Sequence, residues 1–229
     1  MRRPVQPELV IFDCDGVLVD SEPISIAVLR EVVAGSGVVL EEEIAYRRFL
    51  GRSITSVAAT MEEEFGLAIT DGHLADMRTL LYERFRSELR PIPGVAEAID
   101  ALTVPRCVAS SSQPERIRLS LAVTGLLERL EPHIYSASMV KNGKPAPDLF
   151  LHAASAMGAS PAASLVIEDS TAGIEAAKRA GMRVFAFTGG SHASRCGLRE
   201  AATALRPDAI FDDMRQLPAL IATLERTGS

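Results

Sequence analysis

Short apolar runs recur along the chain and predict the strands of a buried sheet. The first covers residues 9–12 and ends at an aspartate-rich turn, as expected of a central strand. Later runs cover residues 106–109, 164–167, 183–187 and 209–211, with a weaker candidate at 134–136. Predicted helices over about 114–130, 147–157 and 171–180 separate most of them. Strands alternating with helices indicate a Rossmann-like, doubly wound α/β fold, with a parallel sheet covered on both faces.

The stretch from residue 21 to residue 90 breaks this alternation. It contains no convincing strand, and its apolar residues recur at helical spacing, for example at Leu74, Met77, Leu81 and Phe85. We therefore predict an all-helical cap at 21–90, inserted into a Rossmann-like core that is formed by 1–20 and 91–229.

Composition and charge narrow the class of protein. The 229 residues carry a formal net charge of -6, which argues against non-specific nucleic-acid binding because such binding needs a basic surface. No run approaches the ~20 apolar residues of a membrane-spanning helix, and the N-terminal apolar run is too short for a signal peptide. The three cysteines lack metal-ligand spacing and fit a reducing compartment, so we expect a cytoplasmic protein.

Polar residues follow the predicted strands at the edge where an open parallel sheet binds its ligands. They are Asp13 and Asp15 after the first strand, Ser110 and Ser111 after the second, Glu168 and Asp169 after the fourth, and Lys144 in a loop. Four carboxylates at one place repel one another, and Mg²⁺ with all-oxygen ligation would relieve this repulsion. The Lys144 ammonium and the Ser110 hydroxyl add donors, so the set predicts a receptor for a tetrahedral phosphate dianion.

Each of these groups also has an ordinary structural interpretation. Asp13 and Asp15 could form a turn, Asp169 and Ser170 could cap a helix, and Lys144 could be loop surface, while the serines after the second strand could cap the next helix. Their joint occurrence at one predicted edge favours a functional role over these structural ones.

Phosphomonoester hydrolysis is extremely slow without a catalyst. Asp13 could attack phosphorus, and Asp15 could protonate the leaving oxygen and then activate water.

Four segments resemble the motifs of the haloacid dehalogenase superfamily. Asp13-Cys-Asp-Gly-Val-Leu-Val-Asp-Ser-Glu22 resembles the first motif and Ser110 the second. Lys144 in Gly-Lys-Pro-Ala-Pro-Asp resembles the third, and Glu168-Asp169-Ser-Thr-Ala-Gly the fourth. The helical insert is similar to the α-helical cap of the β-phosphoglucomutase-like branch.

This resemblance implies a role for each residue. Asp13 would be the nucleophile and a Mg²⁺ ligand, and Asp15 the general acid/base, with its backbone carbonyl on the metal. Asp169 would bind Mg²⁺ directly, and Glu168 directly or through water. Ser110, with Ser111 beside it, and Lys144 would hold the phosphoryl group. The cap would close over the site and select the substrate.

The resemblance leaves a phosphatase and a phosphosugar mutase open. β-Phosphoglucomutases carry a histidine where Ser25 stands, an arginine near Ile54 and a lysine where Gln113 stands. A mutase needs this positive charge to hold a bisphosphate, so its absence favours a phosphatase acting on a small phosphorylated metabolite, a sugar or sugar acid by resemblance. A receiver-like signalling domain or a non-catalytic phosphate sensor is a further alternative, disfavoured by the long insert and by the presence of both Asp13 and Asp15.

Residues of the predicted cap are candidates for substrate contact. Glu22 lies near the linker and Arg52 lies in a cap loop, while we interpret Arg47 and Arg48 as surface residues.

The four histidines share no ligand spacing, and we interpret the loop at 189–192 as an ordinary loop. We expect a monomer or a small homo-oligomer.

Overall fold

The computed structural model describes residues 6–50, 54–195 and 197–224. Six strands form one parallel sheet in the order β3-β2-β1-β4-β5-β6. Their bounds are β1 (Leu9–Phe12), β2 (Arg106–Ser110), β3 (Ile134–Ser136), β4 (Ser164–Glu168), β5 (Arg183–Phe187) and β6 (Ala209–Phe211). All of the predicted strands, including the weaker candidate, are confirmed.

The strand order is the one found in doubly wound Rossmann-type sheets. β1 and β4 are neighbours at the centre, and the chain proceeds from them towards opposite edges of the sheet. The change of direction in strand order between β1 and β4 opens a crevice beyond the carboxyl ends of these two strands, which is where such folds bind ligands. The predicted α/β fold class is therefore confirmed.

Apolar clusters cover both faces of the sheet. Val10 and Phe12 of β1 pack into one cluster, and Leu9 and Ile11 pack into another on the opposite face. All four side chains are fully buried. Because successive residues of a strand point to opposite faces, burial on both sides requires the continuous apolar run seen in the sequence.

Helices provide the two outer layers of the core. They are α5 (Val95–Asp100), α6 (Pro114–Val123), α7 (Leu127–Leu130), α8 (Asp148–Ala156), α9 (Thr171–Arg179), α10 (Leu198–Ala204) and α11 (Leu217–Thr223). The single helix predicted over about 114–130 is instead the pair α6 and α7. Gly125 lies between them with a φ of 72°, a left-handed conformation that ends a helix and that glycine adopts readily.

Four helices lie within residues 21–90, a segment between β1 and α5 that we call the helical insert. They are α1 (Glu22–Ala34), α2 (Glu42–Phe49), α3 (Ile54–Phe65) and α4 (Asp71–Glu88). The described residues of this segment contain no strand. The insert has an apolar cluster of its own, which includes Leu29, Val33 and Met61.

The two connections between the insert and the core run side by side. The backbone N–H of Asp20 donates to the carbonyl of Arg90 at 3.0 Å, and that of Ile92 donates to Leu18 at 2.9 Å. The insert also reaches the core directly, because Ile24, Val28 and Phe85 belong to one of the clusters on the sheet. No helix among the described residues is long and apolar enough to cross a membrane.

Candidate active site

The carboxyl ends of the central strands bring three carboxylates together. Asp13 directly follows β1, and its N–H donates to the carbonyl of Ile167 at 3.0 Å, which extends the pairing of β1 with β4. Glu168 ends β4 and Asp169 follows it. Oxygen atoms of Asp13, Glu168 and Asp169 all lie within 4.8 Å of one another. The crevice at the centre of the sheet thus contains a buried cluster of negative charge.

Lys144 supplies the positive charge in this cluster. Its Nζ donates to Asp13 Oδ1 at 2.7 Å, to Glu168 Oε1 at 2.6 Å and to the carbonyl of Ala109 at 3.1 Å. The side chain is only 4% exposed and lies 4.9 Å from the centre of the Phe150 ring. Burial alone would lower the pKa of Lys144, but the two carboxylates raise it above its ordinary value, so the group stays an ammonium.

One ammonium does not balance three carboxylates. Burial raises the pKa of Asp13 well above its ordinary value; Lys144 opposes this shift, while Glu168 and Asp169 reinforce it. Burial also raises the pKa of Asp169. A further cation would stabilise the ionised cluster, and three carboxylate oxygens suit a hard divalent ion. The residues present therefore fit a metal such as the one that the sequence predicts.

The chain itself occupies both oxygens of Glu168. Oε1 accepts from Lys144, while Oε2 accepts from the N–H of Asp169, the N–H of Ser170 and the Ser170 hydroxyl, each at 2.9 Å. A Cβ built on Gly173 would overlap this carboxylate. Glu168 therefore orients Lys144 and the turn that leads into α9. Ser170 also caps α9 through a hydrogen bond from Gly173 N, so the structural interpretation holds for that residue as well.

Asp15 lies apart from the three-carboxylate cluster. Its Oδ1 accepts from Ser21 Oγ at 2.6 Å and from Arg116 Nη2 at 2.9 Å, and its Oδ2 accepts from Ser112 Oγ at 2.6 Å. Burial acts to raise the pKa of Asp15, but Arg116 and the two hydroxyls outweigh it, and the pKa is lowered. Asp15 is therefore held as an ionised carboxylate in the structure. The assignment of its backbone carbonyl to a metal stays a prediction.

The serines at the carboxyl end of β2 lie at the same edge. Ser110 is buried, and its Oγ accepts from the N–H of Ser112 at 3.1 Å. Ser111 is exposed and lines the cavity described below. Helix α6 has Gln113 at its N-cap without a side-chain capping bond. None of these serines caps that helix, and Ser110 and Ser111 both line the same cavity as Asp13 and Asp15.

His192 belongs to the site, although we interpreted its loop as an ordinary one. Its Nε2 lies 3.2 Å from Asp169 Oδ2, and the residue is only 3% exposed. Burial acts to lower the pKa of His192, but the contact with Asp169 raises it above its ordinary value. A Cβ on Gly16 would overlap the Asp169 carboxylate and approach the His192 ring. The glycine of the first motif thus allows the close packing of these two side chains.

A cavity of about 770 Å³ lies between this edge and the helical insert. The core contributes Asp13, Asp15, Lys144 and the serines, and the insert contributes a mainly apolar wall. Glu22, which begins α1, also lines the cavity; burial and the negative charges of Asp15 and Asp169 raise its pKa to about 7. Arg52 lies outside the described residues.

Two arginines of the insert face this cavity, one of which we interpreted as surface. Arg47 of α2 and Arg78 of α4 both line it and are exposed. Within the described part of the chain, neither guanidinium has a hydrogen-bond or ion-pair partner. Arg48, in contrast, pairs with Glu64 at 3.0 Å and does not line the cavity.

A family comparison agrees with this geometry. Residues 7–181 match the model of the haloacid dehalogenase-like hydrolases. The chain belongs to this family. It is 31% identical over 186 residues to the 6-phosphogluconate phosphatase of Escherichia coli K12, covering 81% of this chain and 84% of the relative. It is 30% identical over 218 residues to the phosphorylated carbohydrates phosphatase of Thermotoga maritima, covering 92% and 99%.

A solved structure of the family has the same fold. A haloacid dehalogenase-like protein of Agrobacterium tumefaciens C58 superposes with a TM-score of 0.83 at 37% identity, covering 95% of this chain and 98% of that one. The superposition spans the helical insert as well as the sheet. The resemblance noted from the four sequence motifs is therefore confirmed.

Proposed function

We propose that this haloacid dehalogenase-like hydrolase is a magnesium-dependent phosphatase. It hydrolyses a small phosphomonoester, a phosphorylated sugar or sugar acid, through a phosphoryl group carried on Asp13. The observation that carries the proposal is the contact of 2.7 Å between Asp13 Oδ1 and Lys144 Nζ at the crevice of the sheet. The phosphatase names of the relatives and the sugar phosphates in those names support the substrate class.

Asp13 is the nucleophile in this proposal. Lys144 fixes one carboxylate oxygen, and the other attacks phosphorus. A bond forms between phosphorus and that oxygen as the ester bond to the leaving group breaks. Asp15, which is ionised in the ligand-free protein, takes up a proton when the negatively charged phosphate group binds beside it, and it gives this proton to the leaving oxygen. In the second step Asp15 takes a proton from water, the water oxygen attacks phosphorus, and phosphate leaves as the Asp13 carboxylate is regenerated.

Lys144 and the serines at the carboxyl end of β2 hold the phosphoryl group. The Lys144 ammonium and the Ser110 hydroxyl, with Ser111 beside them, meet the phosphoryl oxygens. Mg²⁺ would be held by Asp13 and Asp169, with Glu168 acting indirectly, and when bound it supplies positive charge against the phosphoryl oxygens. His192 orients the Asp169 carboxylate through the contact between its Nε2 and Asp169 Oδ2.

The helical insert acts in this proposal as a cap with the bounds 21–90 on a core of 1–20 and 91–229. The cavity lies between the two parts, so a change in their arrangement would alter access of water and substrate. Glu22, Arg47 and Arg78 contact the substrate beyond its phosphoryl group, as does Arg52 if its loop faces the cavity. We propose a cytoplasmic enzyme, a monomer or small homo-oligomer, whose partner is a small phosphorylated metabolite.

The test is phosphate release from a panel of phosphorylated sugars and sugar acids, with Mg²⁺ and with EDTA. Release that requires the metal and is abolished in Asp13→Asn supports the proposal. β-Glucose 1-phosphate is included and assayed for glucose 6-phosphate. Isomerisation without phosphate release would establish the mutase and overturn the argument from Ser25 and Gln113, uncharged residues that both line the cavity.

A further inference from the structure

Arg116 is the residue that joins Asp15 to the helical insert. It lies on α6 of the core, where its Nη2 donates to Asp15 Oδ1 at 2.9 Å. The same Nη2 lies 3.4 Å from Ser25 Oγ on α1. The guanidinium carbon lies 5.4 Å from the centre of the Phe85 ring on α4. One guanidinium therefore touches the predicted acid/base residue and two helices of the insert.

These contacts occur in a largely buried setting. The Arg116 side chain is 23% exposed and Asp15 is 15% exposed, while Phe85 is fully buried. The Nε atom of Arg116 is buried and makes no hydrogen bond within the described ranges. Asp15, Ser25 and Phe85 therefore anchor the guanidinium. A planar group that stacks on a ring while its edge donates to a carboxylate needs arginine rather than lysine.

We propose that Arg116 is a positioning residue that links the orientation of Asp15 to the seating of the helical insert on the core. When α1 and α4 lie as in this structure, Ser25 and the Phe85 ring hold the guanidinium, and the guanidinium holds Asp15. If the insert separates from the core, Arg116 loses both supports and Asp15 loses a partner that fixes its carboxylate. The insert thereby controls the acid/base residue as well as access to the cavity. This inference rests on the proposed function, since it assigns Asp15 to proton transfer.

Aryl phosphates with different leaving groups separate this role from a merely structural one. 4-Nitrophenolate leaves readily without a proton, whereas phenolate leaves poorly and gains more from a general acid. In Arg116→Met we expect kcat/KM for phenyl phosphate to fall about 100-fold and that for 4-nitrophenyl phosphate to fall less than about tenfold. Arg116→Lys keeps the charge and restores part of the loss on phenyl phosphate. Equal losses on the two esters, or no loss, would overturn the proposal.

A double-mutant cycle tests the link to the insert. Phe85→Leu keeps an apolar side chain but removes the ring beneath the guanidinium, and it should lower kcat/KM for phenyl phosphate. If the ring acts through Arg116, Phe85→Leu adds little further loss in the Arg116→Met background. Full additivity of the two losses contradicts the link. Thermal unfolding of each variant shows that the chains compared are folded.

Amide hydrogen exchange gives a readout that does not depend on turnover. In the ligand-free protein, Arg116→Met should speed exchange in the segments around Ser25 and Phe85. Arg118→Met is the matched control, because Arg118 lies on the same helix but is exposed and pairs with Glu131. It should leave exchange and both kcat/KM values unchanged. Unchanged exchange in Arg116→Met overturns the proposal even if the enzyme is an active phosphatase. Altered exchange with no turnover of either ester by the wild type would instead contradict the proposed function.

Discussion

Lys144 Nζ and Glu168 Oε1 lie 2.6 Å apart, and the side chains are 4% and 0% exposed. The same ammonium donates to Asp13, so Glu168 holds in place the cation that contacts the proposed nucleophile. Desolvation offsets most of the electrostatic gain of a buried ion pair, whereas removal of one partner leaves an uncompensated buried charge.

Removing the Lys144 ammonium should affect both stability and turnover. Lys144→Met leaves two buried carboxylates without their cation, and we expect the free energy of unfolding to fall by about 3 kcal/mol. Turnover should fall by at least about 100-fold, because the phosphoryl group loses a charged donor. Urea denaturation and phosphate release measure the two effects. Lys141→Met, an exposed residue in the same loop, is the control and should change neither.

Gly173 should be intolerant of a methyl group. Gly173→Ala places a Cβ against the Glu168 carboxylate and must displace it, so we expect lower stability and loss of phosphate release. Gly72→Ala provides the contrast, because its Cβ would meet only ordinary contacts near the start of α4. That substitution should stabilise the protein by up to about 1 kcal/mol, since alanine favours helix. Equal behaviour of the two variants in thermal unfolding would contradict the packing argument.

Mg²⁺ should stabilise the folded protein through the carboxylate cluster. At a free concentration one hundred times Kd, binding to the native state alone adds about 2.7 kcal/mol to the free energy of unfolding. Asp169→Asn removes one charged ligand and should abolish most of this gain while leaving the metal-free protein folded. The measurement is the shift of Tm with Mg²⁺ concentration. A shift of wild-type size in Asp169→Asn would exclude Asp169 from the metal site.

Arg47 and Arg78 should select substrates that carry a second anionic group. Replacing either with alanine removes a cation from the cavity wall, and we expect KM for a phosphorylated sugar acid to rise about threefold to fivefold. KM for the matching uncharged sugar phosphate should change little. Arg48→Ala is the control, since that side chain pairs with Glu64 and lies off the cavity. A similar rise in KM for both substrates would indicate an altered cap rather than a lost contact.

The residues of the site differ in how far the sequence could predict them. Asp13, Glu168 and Asp169 lie at the carboxyl ends of central strands, and the apolar runs alone predict that these strand ends meet at one edge of a parallel sheet. Arg116 and His192 could not be found in this way. Arg116 contacts Asp15, which is far away in sequence, and His192 contacts Asp169 from the loop after β5. Both contacts depend on how α6 and that loop approach the carboxyl edge of the sheet.

A similar limit applies within the fold. The pattern over 114–130 remains apolar at helical spacing, so it predicts one helix, and only the left-handed conformation of Gly125 divides it. The sequence likewise identifies Glu168 as an acidic residue of a motif. The hydrogen bonds that occupy both of its oxygens depend on the turn into α9 and on the absence of a side chain at Gly173.

The most direct test of the account is to trap the phosphoryl group on Asp13. Asp15→Asn removes the proposed base of the second step, while 4-nitrophenyl phosphate needs little help from an acid in the first. After incubation with Mg²⁺ and this ester, followed by an acid quench, peptide mass mapping should find a phosphoryl group on the peptide containing Asp13. The double variant Asp13→Asn, Asp15→Asn should carry none. A phosphoryl group on a different residue, or wild-type turnover by Asp13→Asn alone, would contradict the assignment of Asp13 as the nucleophile.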